Sequence, residues 1–350
     1  MRLQPSIRVW ALLGPHRGDN NQILALAQAL GFPYEEKWLR FNRLRSLQPA
    51  LLGASFRSLE AESKMQLEGN PPDLTISTGH RSVPAVRELK RRSGGRMRAV
   101  HLGYPRISPS HFDLVVPTPE YPVPDAPNVV RIPFALSPRT ARAVEDVDLV
   151  SVQALPGPRR LLVLGGPTLY WKLPVADMVA ALRQLLETAR REGGSVLAVG
   201  SPRTPSDLLM AIRSELDSAS VPHLFAPPEG PPSYGALIDG ADYIFVTADS
   251  VAMVADAVIT GKPVGIVPIA KSRLGRVVMA VTDRLRPGRR LPPRDLRFFW
   301  RSLEEHGFGG TLEAPKTARP PDYTELIAER VRQLLGQPPP PATGARDSGP

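Results

Sequence analysis

Polar residues able to handle a phosphate ester gather at the ends of short apolar runs in this sequence. Three such places lie in its second half. Gly165 and Gly166 follow "RRLLVL", and a glycine pair lets backbone amides approach a phosphate oxygen closely, although a tight turn alone would use the same pair. Ser201, Arg203 and Thr204 follow "SVLAVG" and bring two hydroxyls and a guanidinium, groups suited to phosphate oxygens. Thr247, Asp249 and Ser250 end the run "DYIFVTADS". The last two are also N-cap residue types, which need only satisfy the first amides of a helix. Asp256 stands seven residues after Asp249, nearly two helical turns, so both share one face with Met253 between them. Aspartate is a poor residue for a helix interior. Asp256 is therefore either exposed or holding something at that face.

The first half has its own set. "GPHRGDNNQ" follows the first apolar run and offers His16 or Asp19 as a proton acceptor. Gly18 permits close backbone approach there, with Asn20 and Gln22 as polar neighbours. A loop histidine is as readily just solvated, and Asp19 could do no more than cap a helix with Asn20. In "TGHR", His80 and Arg81 suit an anionic group at another strand tip.

What must position these residues is an alternation of strand-sized and helix-period segments, the pattern of parallel α/β architecture. "IRVWALLG", "DLTISTG", "RAVHLG", "FDLVVP" and "NVVRIP" (128–133) read as strands, and "NQILALAQALG" as a helix ending at Gly31. A Pro-, Asp- and Arg-rich stretch reads as a linker. The pattern then restarts with "RRLLVLGGP", a helix from about Pro174 to Glu192, "SVLAVGS", "VPHLF", "DYIFVTAD" and "KPVGIVP". Two βαβ blocks predict two Rossmann-like domains facing a cleft, with ligands beyond the carboxyl ends of the strands. The expected division is 1–140 for the first domain, 141–158 for the linker and 159–320 for the second domain. An amphipathic helix follows over 321–336, started by Asp322 and Glu325, and then a disordered tail over 337–350.

Composition narrows the classes. The 350 residues are 42% hydrophobic, enough for real cores, and contain no cysteine, which excludes disulfides and thiolate metal sites. No leader peptide and no run of about 20 apolar residues is visible, so a soluble, cytoplasmic protein is expected. The net charge of +10 concentrates in residues 81–98 and 271–301. Such clusters are solvated faces, or they meet an acidic substrate or an anionic membrane. They leave peripheral attachment to the inner membrane open. Nucleic acid is not expected as a partner, because no regular series of aromatics interleaves the basic residues. Phe298, Phe299 and Trp300 inside the second cluster read as core or as an interfacial anchor. The D-x-D at Asp146–Asp148 falls in the expected linker and the histidines lack ligand spacing, so no metal is expected, and no cofactor.

The unit strand–turn–helix–"GKP"–strand resembles the donor-nucleotide element of GT-B glycosyltransferases. There an acidic residue five positions before the glycine of a G-x-P turn hydrogen-bonds the ribose hydroxyls, and Asp256, Gly261 and Pro263 stand at that spacing. That family usually has glutamate where this chain has the shorter Asp256. The order of "GPHRGDNNQILALAQALG", "STGHRSVPA", "HLGYPRISPSHFDLVVPTPEY", "LGGPTLYW", "GSPRTP" and "VTADSVAMVADAVITGKPV" resembles the mitochondrial-fission elongated-mitochondria family over roughly residues 7–335. Bacterial members of that family are regarded as glycosyltransferases. Where the family has P-E-H-D after the "FDLVV" strand, this chain has "PTPEYP", which keeps Glu120 and lacks the histidine.

The resemblance implies a metal-independent glycosyltransferase. It would move a sugar from a nucleoside-diphosphate donor to a glycolipid, lipid-linked or lipooligosaccharide acceptor at the cytoplasmic membrane face. Gly165, Gly166, Ser201, Arg203, Thr204, Thr247, Asp249, Ser250, Met253 and Asp256 would form its donor site. His16 or Asp19 would act as base, and Gly18, Asn20, Gln22, His80 and Arg81 would line the acceptor side. A nucleotide-sugar epimerase uses the same fold, and a non-catalytic adaptor would keep the fold as a binding surface.

Overall fold

The computed structural model describes residues 7–137, 146–228 and 230–336. The described residues divide into two compact units: those within 7–117, 123–130 and 322–336 form the first, and those within 118–122 and 131–321 the second. The sequence-derived tail, 337–350, lies outside the described residues.

The first unit is built on β1 (Val9–Leu13), α1 (Arg17–Leu30), β2 (Tyr34–Trp38), two short helices α2 (Pro49–Leu52) and α3 (Ala61–Gln66), β3 (Leu74–Thr78), α4 (Val83–Arg92), β4 (Arg98–Leu102) and β5 (Leu114–Val116). Its sheet is parallel in the order β2-β1-β3-β4-β5. β1 is buried throughout and β3 up to Thr78, as strands covered on both faces must be, whereas β2 carries Glu35, Glu36 and Lys37 at the sheet edge. The order reverses between β1 and β3. The turns after these two strands carry His16 and His80, so both sit at the switch point where such sheets bind ligands. Two local readings change. α1 begins at Arg17, so Gly18, Asp19, Asn20 and Gln22 lie in its first turns and not on a loop. "NVVRIP" is no strand: Val129 makes one isolated bridge to Val115, between Pro127 and Pro133, which interrupt any ladder.

The second unit runs through α5 (Asp146–Gln153), β6 (Arg159–Leu164), β7 (Trp171–Lys172), α6 (Val175–Glu192), β8 (Ser195–Gly200), α7 (Ser206–Ser218), β9 (His223–Ala226), α8 (Tyr234–Gly240), β10 (Tyr243–Thr247), α9 (Val251–Val258), β11 (Pro263–Val267), β12 (Ala270–Lys271), α10 (Arg273–Leu285), α11 (Leu296–Glu305) and β13 (Lys316–Thr317). The main sheet has the order β13-β11-β10-β6-β8-β9, parallel except for β13. Its reversal falls between β6 and β10. On one face α6 and α7 bury Leu182, Leu185, Ile212 and Leu216 against Leu162, Val196 and Ala198. The expected linker 141–158 contains α5, which packs against α8. Val152 is fully buried, and Asp148 accepts the Ser233 amide at the start of α8 (2.6 Å). An acidic, valine-rich segment is helical here because tertiary burial outweighs its weak propensity.

The chain ends the first unit with α12 (Tyr323–Leu334), capped by Asp322, whose carboxylate accepts the Glu325 amide. α12 packs on α1, burying Ile327, Ala328 and Val331. The buried Arg332 donates to the carbonyls of Ala29 and Leu30 at the carboxyl end of α1, where a cation is favourable.

Candidate functional site

At the β6/β10 switch point, side chains and amides from three strand ends close on one another. Gly165 N donates to Thr247 Oγ1 (2.8 Å), Gly166 N to Asp249 Oδ2 (2.9 Å), and Thr247 Oγ1 to Asp249 Oδ1 (2.7 Å). From the end of β8, Arg203 Nη2 reaches Asp249 Oδ2 (3.5 Å). Thr204 Oγ1 lies 2.8 Å from the Ser201 amide that it accepts and 2.5 Å from Gly165 O. The two glycines have a steric reason: a Cβ on Gly165 would fall 2.2 Å from Asp249 Oδ2, and one on Gly166 2.4 Å from Arg203 O. Seven expected donor-site residues, Gly165, Gly166, Ser201, Arg203, Thr204, Thr247 and Asp249, are thus brought into one hydrogen-bonded cluster.

Within it, roles differ from the sequence reading. The Gly165 and Gly166 amides, expected to face a phosphate, are held by Thr247 and Asp249. Asp249 is fully buried, and burial raises its carboxyl above the usual range, against the pull of the Thr247 hydroxyl, the Gly166 amide and Arg203. It organises the loops. Ser250 caps α9 by accepting the Met253 amide (3.5 Å). Asp256, farther along α9, accepts a hydrogen bond from Ser137 Oγ (2.6 Å). The side chain with room to move is Arg203, about half exposed.

A cavity of about 180 Å³ opens beside this cluster, lined among others by Thr168, Tyr170, Trp171, Arg203 and Arg294. Arg294 Nη2 donates to Asp249 O (2.7 Å), and Trp300 Nε1 to Ala248 O (2.7 Å), so the segment after β10 is gripped from α11 and the loop before it. Two donors on the lining residues, Arg294 Nε and Trp171 Nε1, are buried without a hydrogen-bond partner. Groups that can only donate, left unpaired beside a cavity, call for an acceptor-rich ligand. Sequence reasoning missed Arg294 and Trp171: Arg294 lies in a noted basic cluster but at no diagnostic spacing. Phe299 is fully buried and Trp300 meets Trp171 edge-on at 4.5 Å, so these two rings pack within the second unit, while Phe298 is half-buried between Arg290 and Arg301.

Glu120 was singled out only as a remnant of a longer motif. It is 1% exposed; its Oε1 accepts from Thr118 Oγ1 (2.9 Å) and its Oε2 has no partner. Burial pushes its carboxyl above the usual range, opposed by the charge of Arg294. The Glu120 carbonyl accepts the Asp295 amide (2.8 Å), tying this segment to the loop that carries Arg294.

In the first unit, His16 is the exposed N-cap of α1 and makes no side-chain cap bond. Asp19 sits in the first turn, where an acid favours the helix dipole. Asn20 is structural: its amide brackets Gly14, accepting from Gly14 N and donating to Gly14 O, each at 2.8 Å. Gln22 reaches back to Gly18 O (3.4 Å). At the end of β3, His80 is held neutral, its pKa lowered to about 4 by burial and then by Arg106 and Arg81. It therefore supplies no positive charge near neutral pH; beside it the Nε of Arg81 is buried and unpaired. Among the described residues no group of three His, Asp or Glu side chains could hold a metal ion, and no helix is long and apolar enough to cross a membrane.

The family model described as mitochondrial fission ELM1 matches residues 17–335. The chain belongs to that family. The mitochondrial fission protein ELM1 of Arabidopsis thaliana is 26% identical over 246 residues, which span 62% of this chain and 56% of that protein. Among solved structures, the UDP-GlcNAc 2-epimerase of Methanocaldococcus jannaschii is similar with a TM-score of 0.52 at 12% identity, covering 94% of this chain and 99% of its own. A glycosyltransferase from Rickettsia africae is similar with a TM-score of 0.50 at 9% identity, over 95% and 99% of the two chains. At these identities the likeness is one of fold: the mixed α/β, parallel-sheet architecture of this chain is shared with both.

Proposed function

We propose that this ELM1-family chain is a metal-independent GT-B glycosyltransferase that takes a sugar from a nucleoside diphosphate. The carrying observation is the cavity at the β6/β10 switch point, where Arg203 and Arg294 present guanidiniums and where Arg294 Nε and Trp171 Nε1 are buried donors without a partner. The diphosphate of the donor occupies that cavity. The acceptor hydroxyl oxygen attacks the anomeric carbon, the bond from that carbon to the diphosphate oxygen breaks, and the electron pair leaves with the diphosphate. Arg203 and Arg294 balance the charge that develops there. The hydroxyl proton passes to His16 or Asp19 of the first unit. Asp256 anchors the ribose; its carboxylate already accepts a hydroxyl, that of Ser137. The acceptor is lipid-linked or a lipooligosaccharide and is met at the cytoplasmic membrane face, with Arg81 toward its anionic group.

A non-catalytic adaptor is the second reading. It is favoured by the way Thr247 and Asp249 already satisfy the Gly165 and Gly166 amides. Calorimetry with UDP, GDP, ADP and CMP separates the two. Binding of one nucleotide, lost in Arg294→Ala, supports the transferase; no binding at millimolar concentration supports the adaptor. Incubation of a bound nucleotide sugar without acceptor then tests for epimerised product, the chemistry named for the Methanocaldococcus jannaschii relative.

A further inference from the structure

α10 is an amphipathic helix whose apolar side faces outward. Leu274, Val277, Val281 and Leu285, at spacings of three, four and four residues, form one stripe. They are 48%, 64%, 51% and 73% exposed. The helix is seated by its other side: only Gly275 and Met279 are buried, and a Cβ on Gly275 would fall 2.1 Å from Tyr170 O. A stripe of this kind in water is unfavourable unless something covers it.

The rim of the stripe is basic. Arg273 and Arg284 lie along one edge, Lys271, Arg286 and Arg289 extend the charge beyond both ends, and Arg276, off the stripe, turns back to the Lys271 carbonyl. None of these six forms an ion pair with an acidic side chain among the described residues. The one acid in the helix, Asp283, is held by Arg297 (2.8 Å). The other basic cluster, residues 81–98, is different: Arg91 and Arg92 pair with Glu88, and Lys90 and Arg98 with Asp113. An uncompensated cationic rim around an exposed apolar ridge matches an anionic lipid interface, where the ridge enters the acyl boundary and the arginines meet headgroups. A second copy fits less well. A twofold contact through α10 would set arginine against arginine, and four side chains fall short of the roughly 20–30 residues a side that stable interfaces use. A nucleic acid would use the rim and leave the ridge in water.

We infer that α10 is the element by which the protein docks on anionic membrane lipid, with Leu274, Val277, Val281 and Leu285 inserted and the surrounding arginines at headgroup level. The inference rests on the transferase reading for its purpose, delivery of the enzyme to a lipid-linked acceptor, but not for its evidence. The test is flotation of the full chain with vesicles of phosphatidylcholine alone, or of phosphatidylcholine with phosphatidylglycerol, at low and high salt. The expected result is retention on the anionic vesicles only, weakened by salt. The double variant Val277→Ser, Val281→Ser should lower that retention at least about tenfold, and Arg284→Gln about fivefold. Because these side chains are exposed, melting temperature should not move.

Failure of the wild-type chain to float with anionic vesicles overturns the inference. So does retention that the valine variant leaves intact, including binding of an RNA probe with the same indifference. A concentration-dependent dimer in light scattering that the variant abolishes also overturns it and assigns the ridge to a second copy. Nucleotide calorimetry on the same samples keeps the two readings apart. Nucleotide binding without vesicle binding sinks the docking helix alone, and vesicle binding without nucleotide binding sinks the transferase alone.

Discussion

Arg294 has one guanidinium nitrogen on the Asp249 carbonyl and another buried with no partner, so at residue scale it is poised for a ligand. Replacing it with alanine removes a charge-assisted hydrogen bond worth about 1.5–3 kcal/mol, and titration calorimetry should show nucleoside-diphosphate affinity falling about 10- to 100-fold. Gly166→Ala attacks the same site from the backbone. Its Cβ would meet the Arg203 carbonyl at 2.4 Å, so the loop must shift, and both binding and melting temperature should fall. Glu120 gives a pH-dependent prediction. Its folded-state pKa lies above the ordinary 4.5, so its contribution to stability is fully present below that value and is lost as pH rises through the folded pKa. Glu120→Gln should therefore raise the melting temperature at pH 8 and change it less near pH 4.5. Only part of this is legible in the sequence. Residue types and strand-end positions picked out Gly165, Arg203, Thr204 and Asp249. That Asp249 would turn inward to hold the glycine amides depends on distances across three strands. Arg294 and Glu120 reach the site from loops 45 and 129 residues from Asp249 in sequence.

At the scale of elements, what local chemistry determines was readable. Gly31 ends α1 in the left-handed conformation, Ser250 and Asp322 cap their helices, and the buried runs of β1, β6, β8 and β10 are strands. What tertiary burial determines was not. α5 exists because α8 covers Val152, and the first turn of α1 recruits Arg17 to Asp19 from what reads as a loop. The α6 and α7 layer offers a direct check on packing. Leu182 is fully buried between helix and sheet, and Leu182→Ala should cost about 2–5 kcal/mol in denaturant unfolding.

For the molecule as a whole, the two units should respond to acid in opposite senses. In the first, His80 and His101 have pKa values lowered to about 4 and about 3, chiefly by burial. Groups depressed in this way stabilise above the ordinary value of 6.5, and that contribution drains away as pH falls toward the folded values. In the second unit Glu120 and Asp249, both raised, gain as pH falls. Hydrogen exchange followed peptide by peptide from pH 7 to pH 4.5 should show protection falling around β3 and β4 while it holds or rises around β10. The placement of α12 carries a further consequence, one of time. Residues 7–117 are made first, yet the helix that covers the apolar side of α1 is the last described element to be made. At about 5–20 residues per second, some 200 residues and roughly 10–40 s of synthesis separate Pro117 from α12. The first unit, begun before the second, therefore lacks its closing helix until the whole of the second has been made.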